Sequence, residues 1–182
     1  MIYYRPGTIS VTAAPGAAGK STLLMAEELS IAYGIDLLGK KDMPGFRGAT
    51  PEKLEGGYKH PLIQGPHTVW TMYLEDDRLE HKRRLLAALE FHGLDSSALD
   101  ADRYIATYNN ESPVKIAEST KNGITIAEPL IDDIRYFVKH NWVKVLTVDP
   151  YVQCHELNEN SNPEMNRVAA VWRDIAQEKM GI

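Results

Sequence analysis

The chain of 182 residues is long enough for one α/β domain, and its hydrophobic fraction of 43% is sufficient to fill a core. It has no apolar run of about 18 residues that would predict a membrane span, and Arg5, Pro6 and Gly7 interrupt the N-terminus, so we expect no signal peptide. The net charge of −5 and the single Cys154 argue against a chain-wide basic nucleic-acid surface, a disulfide framework and a cysteine zinc site, and we expect a cytoplasmic protein.

The first predicted elements surround a glycine-rich segment. Residues 8–13 predict a short buried strand, and residues 20–33 predict a helix that ends at Gly34. Between them, residues 14–22 read Ala-Pro-Gly-Ala-Ala-Gly-Lys-Ser-Thr, the spacing of a phosphate-binding P-loop in which Ala14 replaces the first glycine. The order of strand, turn and helix favours a P-loop over an ordinary glycine-rich turn.

A P-loop binds phosphate through backbone N–H groups and two side chains. We expect the ammonium group of Lys20 to contact the β- and γ-phosphates and the hydroxyl of Ser21 to bind Mg²⁺. The motif predicts that the nucleotide is bound by Pro15, Gly16, Ala17, Ala18, Gly19, Lys20, Ser21 and Thr22.

The elements that follow alternate between strands and helices. The pattern first predicts a strand at 68–74, a helix at 78–92 and a strand at 103–108; the helix has Leu79, Leu85, Leu86 and Leu89 on one face. A hairpin is predicted to turn at Asn122 and Gly123. It is followed by a helix from Pro129 to about His140, a strand at 143–148, and a last helix from a capping Asn162 to Gly181. This alternation predicts an α/β fold, a RecA-like P-loop core whose mostly parallel sheet has helices on both faces.

Two regions do not fit this alternation. The loop at about residues 40–67 lacks periodicity, and it is either a functional loop or a surface insertion. No strand follows the last helix, so we expect the domain to be incomplete at its C-terminus and to belong to a longer protein.

Acidic residues follow two of the predicted strands. Asp149 ends an apolar strand, where a Walker B carboxylate would help to hold Mg²⁺, although a strand-end Asp also begins turns. Glu75 directly follows another strand, and a carboxylate there can activate the water that attacks a γ-phosphate. Asp76 is an alternative for that role, and we expect Asp77 to cap the next helix. Since ligands of parallel sheets bind at the carboxyl ends of strands, these acids should converge on the P-loop.

Histidine and arginine side chains near these acids have less certain roles. His155 either contacts the γ-phosphate or a neighbouring subunit, or is a solvated loop histidine. A basic cluster on the second predicted helix is interpreted as a solvated face paired with Glu80 and Glu90; its members are Arg78, Lys82, Arg83 and Arg84.

Three segments together resemble the RepA-like branch of RecA-type hexameric ATPases, found in plasmid and phage replicative helicases. They are the P-loop with its alanine opening at 14–21, then Tyr73-Leu74-Glu75-Asp76-Asp77 with Arg83-Arg84, then Thr147-Val148-Asp149-Pro150 with His155 and Asn158-Glu159-Asn160. The resemblance implies one RecA-like ATPase domain over residues 1–182, bound ATP and Mg²⁺, and a homo-hexameric ring on single-stranded DNA, with no membrane partner.

The resemblance also assigns roles to residues. It implies that Lys20 and Ser21 bind phosphate and metal, that Glu75 activates water and that Asp149 serves the metal. The family's next strand and its arginine finger would lie beyond Ile182, so we expect weak turnover by this chain alone. Two other functions stay open: an ATP-controlled scaffold or regulator, and a small-molecule P-loop kinase, which would need a basic lid that the sequence does not clearly contain.

Overall fold

The computed structural model describes residues 7–15, 18–38, 66–99, 101–121 and 123–178. Four α-helices lie in these ranges: α1 (Lys20–Tyr33), α2 (Arg78–His92), α3 (Glu128–His140) and α4 (Asn162–Gln177). The strands in the same ranges are β1 (Thr68–Tyr73), β2 (Tyr104–Tyr108), β3 (Ala117–Thr120), β4 (Gly123–Ile126), β5 (Val143–Asp149) and β6 (His155–Glu156). No helix in the described ranges has the length and apolar character needed to cross a membrane.

Strand β1 is the centre of a parallel sheet with the order β2-β1-β5. Its side chains alternate between two hydrophobic clusters because successive residues of a strand point to opposite faces. Val69 and Tyr73 pack with residues of α1 and α2, whereas Trp70, Met72 and Leu74 pack with residues of α3 and α4. The sheet therefore has helices on both faces, and the predicted α/β class with a RecA-like P-loop core is confirmed.

A second sheet has three strands in the spatial order β4-β3-β6. Strands β3 and β4 form the predicted antiparallel hairpin, with Ala117 opposite Ile126. Strand β6 pairs with β3 in parallel, which places His155 opposite Ala117. The sequence indicates the hairpin but not the pairing with β6, since a two-residue strand has no detectable periodicity.

Glycines in the left-handed conformation end the first two helices. Gly34 has φ 70° and follows α1, and Gly93 has φ 65° and follows α2. Both positions favour glycine because an L side chain is strained at positive φ. The predicted bounds of these two helices agree with the structure.

The strand predicted at residues 8–13 is wrong. These residues form no regular element among those described, and Val11 is 81% exposed. Alternating Thr, Ile, Ser and Val favour extended backbone, but burial of a strand depends on a neighbouring edge that local sequence does not specify.

Smaller corrections concern helix faces and ends. Leu79 and Leu86 of α2 are 59% and 50% exposed, so only part of the predicted apolar face is buried. Helix α4 begins at Asn162 as predicted, but its N-cap is Ser161, without a side-chain capping bond. The long loop predicted at 40–67 lies almost wholly outside the described residues, as do Asn122 and the predicted helix end at Gly181.

Candidate active site

The carboxyl ends of β1 and β5 lie side by side. Tyr73 is paired with Asp149, and the N–H of Leu74 donates a hydrogen bond of 2.9 Å to the Asp149 carbonyl. Glu75 follows directly, so the chain leaves β1 next to the last residue of β5. The backbone therefore places the two strand-end acids, Glu75 and Asp149, close to each other, as predicted.

The start of α1 faces the same region. Gly19 is the N-cap and has φ 82°, with no side chain to cap the helix, so the first N–H groups are left for other acceptors. The Lys20 ammonium group donates to the carbonyls of Ala14 (2.7 Å) and Pro15 (3.0 Å). Two other predicted loop residues, Gly16 and Ala17, lie outside the described residues.

These elements enclose a cavity of about 140 Å³. Its lining residues come from α1, from the ends of β1 and β5, and from α2; they are Ser21, Glu75, Asp76, Arg84, Asp149 and Pro150. A hydroxyl, three carboxylates and one guanidinium thus share one polar pocket. The structure brings together Ser21, Glu75, Asp76 and Asp149, as the sequence predicts.

Arg84 contributes the cation of this cavity. Its Nη1 lies 2.6 Å from Asp76 Oδ2, and its Nε donates to Glu80 Oε1 at 2.9 Å. Burial raises the pKa of Asp76; the Arg84 charge opposes this rise, whereas the charges of Glu80, Glu75 and Asp149 add to it. The predicted solvated face is confirmed for Arg83 and Arg84, which are exposed and pair with Glu80. The further contact of Arg84 with Asp76 is not indicated by helical spacing, which does not show which of four neighbouring cations reaches the site.

The acids after β1 have different surroundings. Asp77 caps α2 by accepting a bond of 2.8 Å from the Glu80 N–H, as predicted. Asp76 is held by Arg84, whereas Glu75 is exposed at the cavity. Among the three, Glu75 is the one whose carboxylate no described ion pair or cap occupies. This difference favours Glu75 over Asp76 as a base.

His155 lies in β6, six residues beyond Asp149. It is buried in β6, where its Nδ1 accepts a bond of 3.3 Å from the Leu157 N–H, and burial lowers its pKa. The interpretation as a solvated loop histidine is wrong. His155 does not line the cavity, and its predicted contact with phosphate or a neighbouring subunit stays a prediction.

The donor set of the cavity fits Mg²⁺. This ion prefers oxygen ligands and is commonly held by one or two carboxylates together with water and substrate phosphates. Ser21 and Asp149 supply such oxygens. No cluster of three acidic, histidine or cysteine side chains that could hold a metal alone occurs in the described ranges.

Three polar residues that the sequence does not single out are buried in the described structure. Glu28 of α1, His81 of α2 and Thr147 of β5 have 0%, 2% and 7% of their surface exposed. Helical spacing gives no signal for Glu28 or His81, since Glu and His in amphipathic helices usually mark the solvated face.

A parallel sheet with helices on both faces, a glycine-capped helix start and strand-end carboxylates around one cavity define the class of RecA-like P-loop ATPases. The sequence model of the AAA_25 family, described as an AAA domain, matches residues 3–182, and the chain belongs to this family. A comparison with curated proteins gives no match. The protein is thus a nucleotide-binding P-loop ATPase.

Proposed function

We propose that this ATPase uses Mg-ATP to drive a ring-shaped motor on single-stranded DNA. The observation that carries the nucleotide chemistry is the cavity in which Ser21 of the P-loop helix meets Glu75 and Asp149 at adjacent strand ends. The motor assignment is supported by three segments of the chain that resemble RepA-like hexameric helicases and occur in the same order. These segments end at Ser21, Arg84 and Asn160.

Each residue has a defined task in this proposal. Lys20 exchanges its bonds to the loop carbonyls for bonds to the β- and γ-phosphates, because charge-assisted bonds to phosphate are stronger. Ser21 and Asp149 hold Mg²⁺, which neutralises charge on the phosphates when it is bound. Glu75 orients the attacking water and accepts its proton.

Arg84 keeps a second carboxylate from competing for this chemistry. Its ion pair with Asp76 at 2.6 Å holds that side chain at the cavity wall. Glu75 is thereby left as the carboxylate that water can approach. The arrangement separates a structural acid, Asp76, from a catalytic acid, Glu75.

Steady-state ATP hydrolysis by the full-length protein, measured with and without single-stranded DNA, tests the proposal. We expect Mg²⁺-dependent hydrolysis that DNA stimulates, and a ring by light scattering in the presence of ATP. Hydrolysis that DNA leaves unchanged would favour an ATP-controlled regulator. Transfer of phosphate to a small molecule in preference to water would identify a kinase.

A further inference from the structure

A single buried carboxylate joins α1 to all three strands of the parallel sheet. Glu28 Oε2 accepts hydrogen bonds of 2.9 Å from the hydroxyls of Tyr73 in β1 and Tyr104 in β2. Glu28 Oε1 accepts from the hydroxyl of Thr147 in β5. The hydroxyls of Thr147 and Thr71 lie 2.8 Å apart, so the contact continues across β1 and β5.

Burial of this carboxylate is unfavourable in free energy. Glu28 is fully buried, and the hydrogen bonds described for it come from uncharged hydroxyl groups. Burial raises the pKa of Glu28, and the hydroxyl contacts oppose that rise only in part. Replacement of Glu28 alone would leave three buried hydroxyl groups without this acceptor and would cost stability, so a test of its role must separate positioning from stability.

Each hydroxyl partner lies close in sequence to a residue of the cavity. Tyr73 is two positions before Glu75, and Thr147 is two positions before Asp149, which is about 7 Å along a strand. Ser21 precedes Glu28 by about two helical turns, or about 10 Å along α1. Both α1 and the strands are regular elements, so a shift at Glu28 moves Ser21 relative to Asp149.

We propose that Glu28 is a positioning residue that sets the separation between Ser21 on α1 and Asp149 on β5. The inference rests on the proposed function, in which these two residues hold the same Mg²⁺. It predicts that loss of the carboxylate weakens metal-dependent nucleotide binding more than binding of nucleotide alone, because Lys20 and the loop reach the phosphates from α1 without help from β5.

The experiment compares the ATP affinity of each variant in excess Mg²⁺ and in EDTA by isothermal titration calorimetry. For Glu28→Leu we expect the gain in affinity from Mg²⁺ to fall about 10–100-fold, as for other residues that support metal ligands. Glu28→Gln should restore most of the gain, since the amide oxygen can accept from both tyrosines while the amide nitrogen donates to Thr147.

Two further variants separate positioning from stability. Val168→Ala removes volume from α4 at a fully buried position in the other hydrophobic cluster, so it should lower the melting temperature and leave the Mg²⁺ gain unchanged. Thr147→Val removes the Glu28 contact to β5, together with the contact between Thr147 and Thr71, and keeps both tyrosine bonds of Glu28. It should reduce the gain even if Glu28→Leu does not fold.

The outcomes are distinguishable. A Mg²⁺ gain equal to that of the wild type in Glu28→Leu or in Thr147→Val overturns the positioning role alone. A Mg²⁺ gain that follows the melting temperature across all variants, Val168→Ala included, also overturns it. Failure of the wild-type protein to bind ATP in either buffer overturns the proposed function and the positioning role with it.

Discussion

Arg84 Nη1 lies 2.6 Å from Asp76 Oδ2, so a cation from the second turn of α2 reaches back to the loop that precedes this helix. The same guanidinium is bonded to Glu80, which fixes it from both sides. A pocket that otherwise contains three carboxylates thereby gains one positive charge. Asp76 and Arg84 thus line the cavity as an ion pair together with Glu75.

Arg84→Met tests the electrostatic effect of this ion pair. The Arg84 charge opposes the rise of the Asp76 pKa, so its removal should raise that pKa further. Carboxyl-carbon NMR titration of Asp76 measures the change. Arg83→Met is the matched control, because Arg83 pairs with Glu80 and does not line the cavity. An Asp76 titration that is the same in Arg84→Met and the wild type would contradict the assignment.

Lys20→Ala should abolish ATP binding. The substitution removes the cation that the P-loop directs at the β- and γ-phosphates. Isothermal titration calorimetry with Mg-ATP measures the loss. Lys121→Ala, at an exposed position in the β3–β4 turn, provides a control for the loss of one positive charge. Equal affinities in Lys20→Ala and the wild type would remove the basis for the P-loop assignment.

Glu75→Gln should keep ATP affinity and slow hydrolysis by about 10²–10⁴-fold, because the amide has the shape of the carboxylate but cannot accept the proton. A phosphate-release assay at saturating Mg-ATP measures turnover. Asp77→Asn is the control, since an asparagine can still cap α2. Wild-type turnover in Glu75→Gln would transfer the role to Asp76 or eliminate it.

Gly19→Ala should destabilise the protein and weaken ATP binding. No atom lies within 4 Å of the position that a Cβ would take, so the cost comes from the backbone at φ 82°. We expect a loss of about 1–2 kcal/mol in the free energy of unfolding, measured in urea. Gly93→Ala has a similar φ of 65° away from the cavity and should lose comparable stability with normal ATP affinity. Weakened ATP binding in both variants would contradict a local role for Gly19.

His81 should make stability depend on pH. Burial, followed by the Arg84 charge, lowers the pKa of His81 from 6.5 to about 4. The unfolded chain binds the proton more readily, so the stability contributed by neutral His81 is present above about pH 6.5 and is lost as the pH falls toward 4. Its full loss would be about 3 kcal/mol.

The matching measurement is the free energy of unfolding of wild type and His81→Gln between pH 4 and 7. The wild type should lose stability relative to the variant as the pH falls. Comparison with the variant is needed because Glu28, whose pKa is raised, contributes with the opposite sign. Parallel pH profiles for the two proteins would show that His81 does not titrate in this range.

Much of the fold can be predicted from local sequence patterns. Gly34 and Gly93 mark helix ends because positive φ is costly for other residues, and these bounds were predicted correctly. The acids Glu75 and Asp149 were placed together because strand ends of a parallel sheet converge. Residues 8–13 show the limit: their composition favours extended backbone, but a strand also needs a partner edge.

The buried polar residues could not be predicted for a related reason. Glu28 and His81 accept or share hydrogen bonds with hydroxyl groups of Tyr73 in β1 and of Tyr104 and Tyr108 in β2. Arg84 is exposed, and it lines the cavity because its partner Asp76 lies in the loop before α2. Such environments arise from tertiary contacts, whereas periodicity reports only on a residue's own element.

The central position of β1 has a consequence for sequence variation. Every residue from Val69 to Leu74 is buried, on one face or the other, whereas the residues of β4 alternate between exposed and half-buried. Substitutions can therefore accumulate at every second position of β4 without repacking a core. Any change of side-chain volume in β1 needs a compensating change in the helices above or below it, so β1 and its contacts must diverge together.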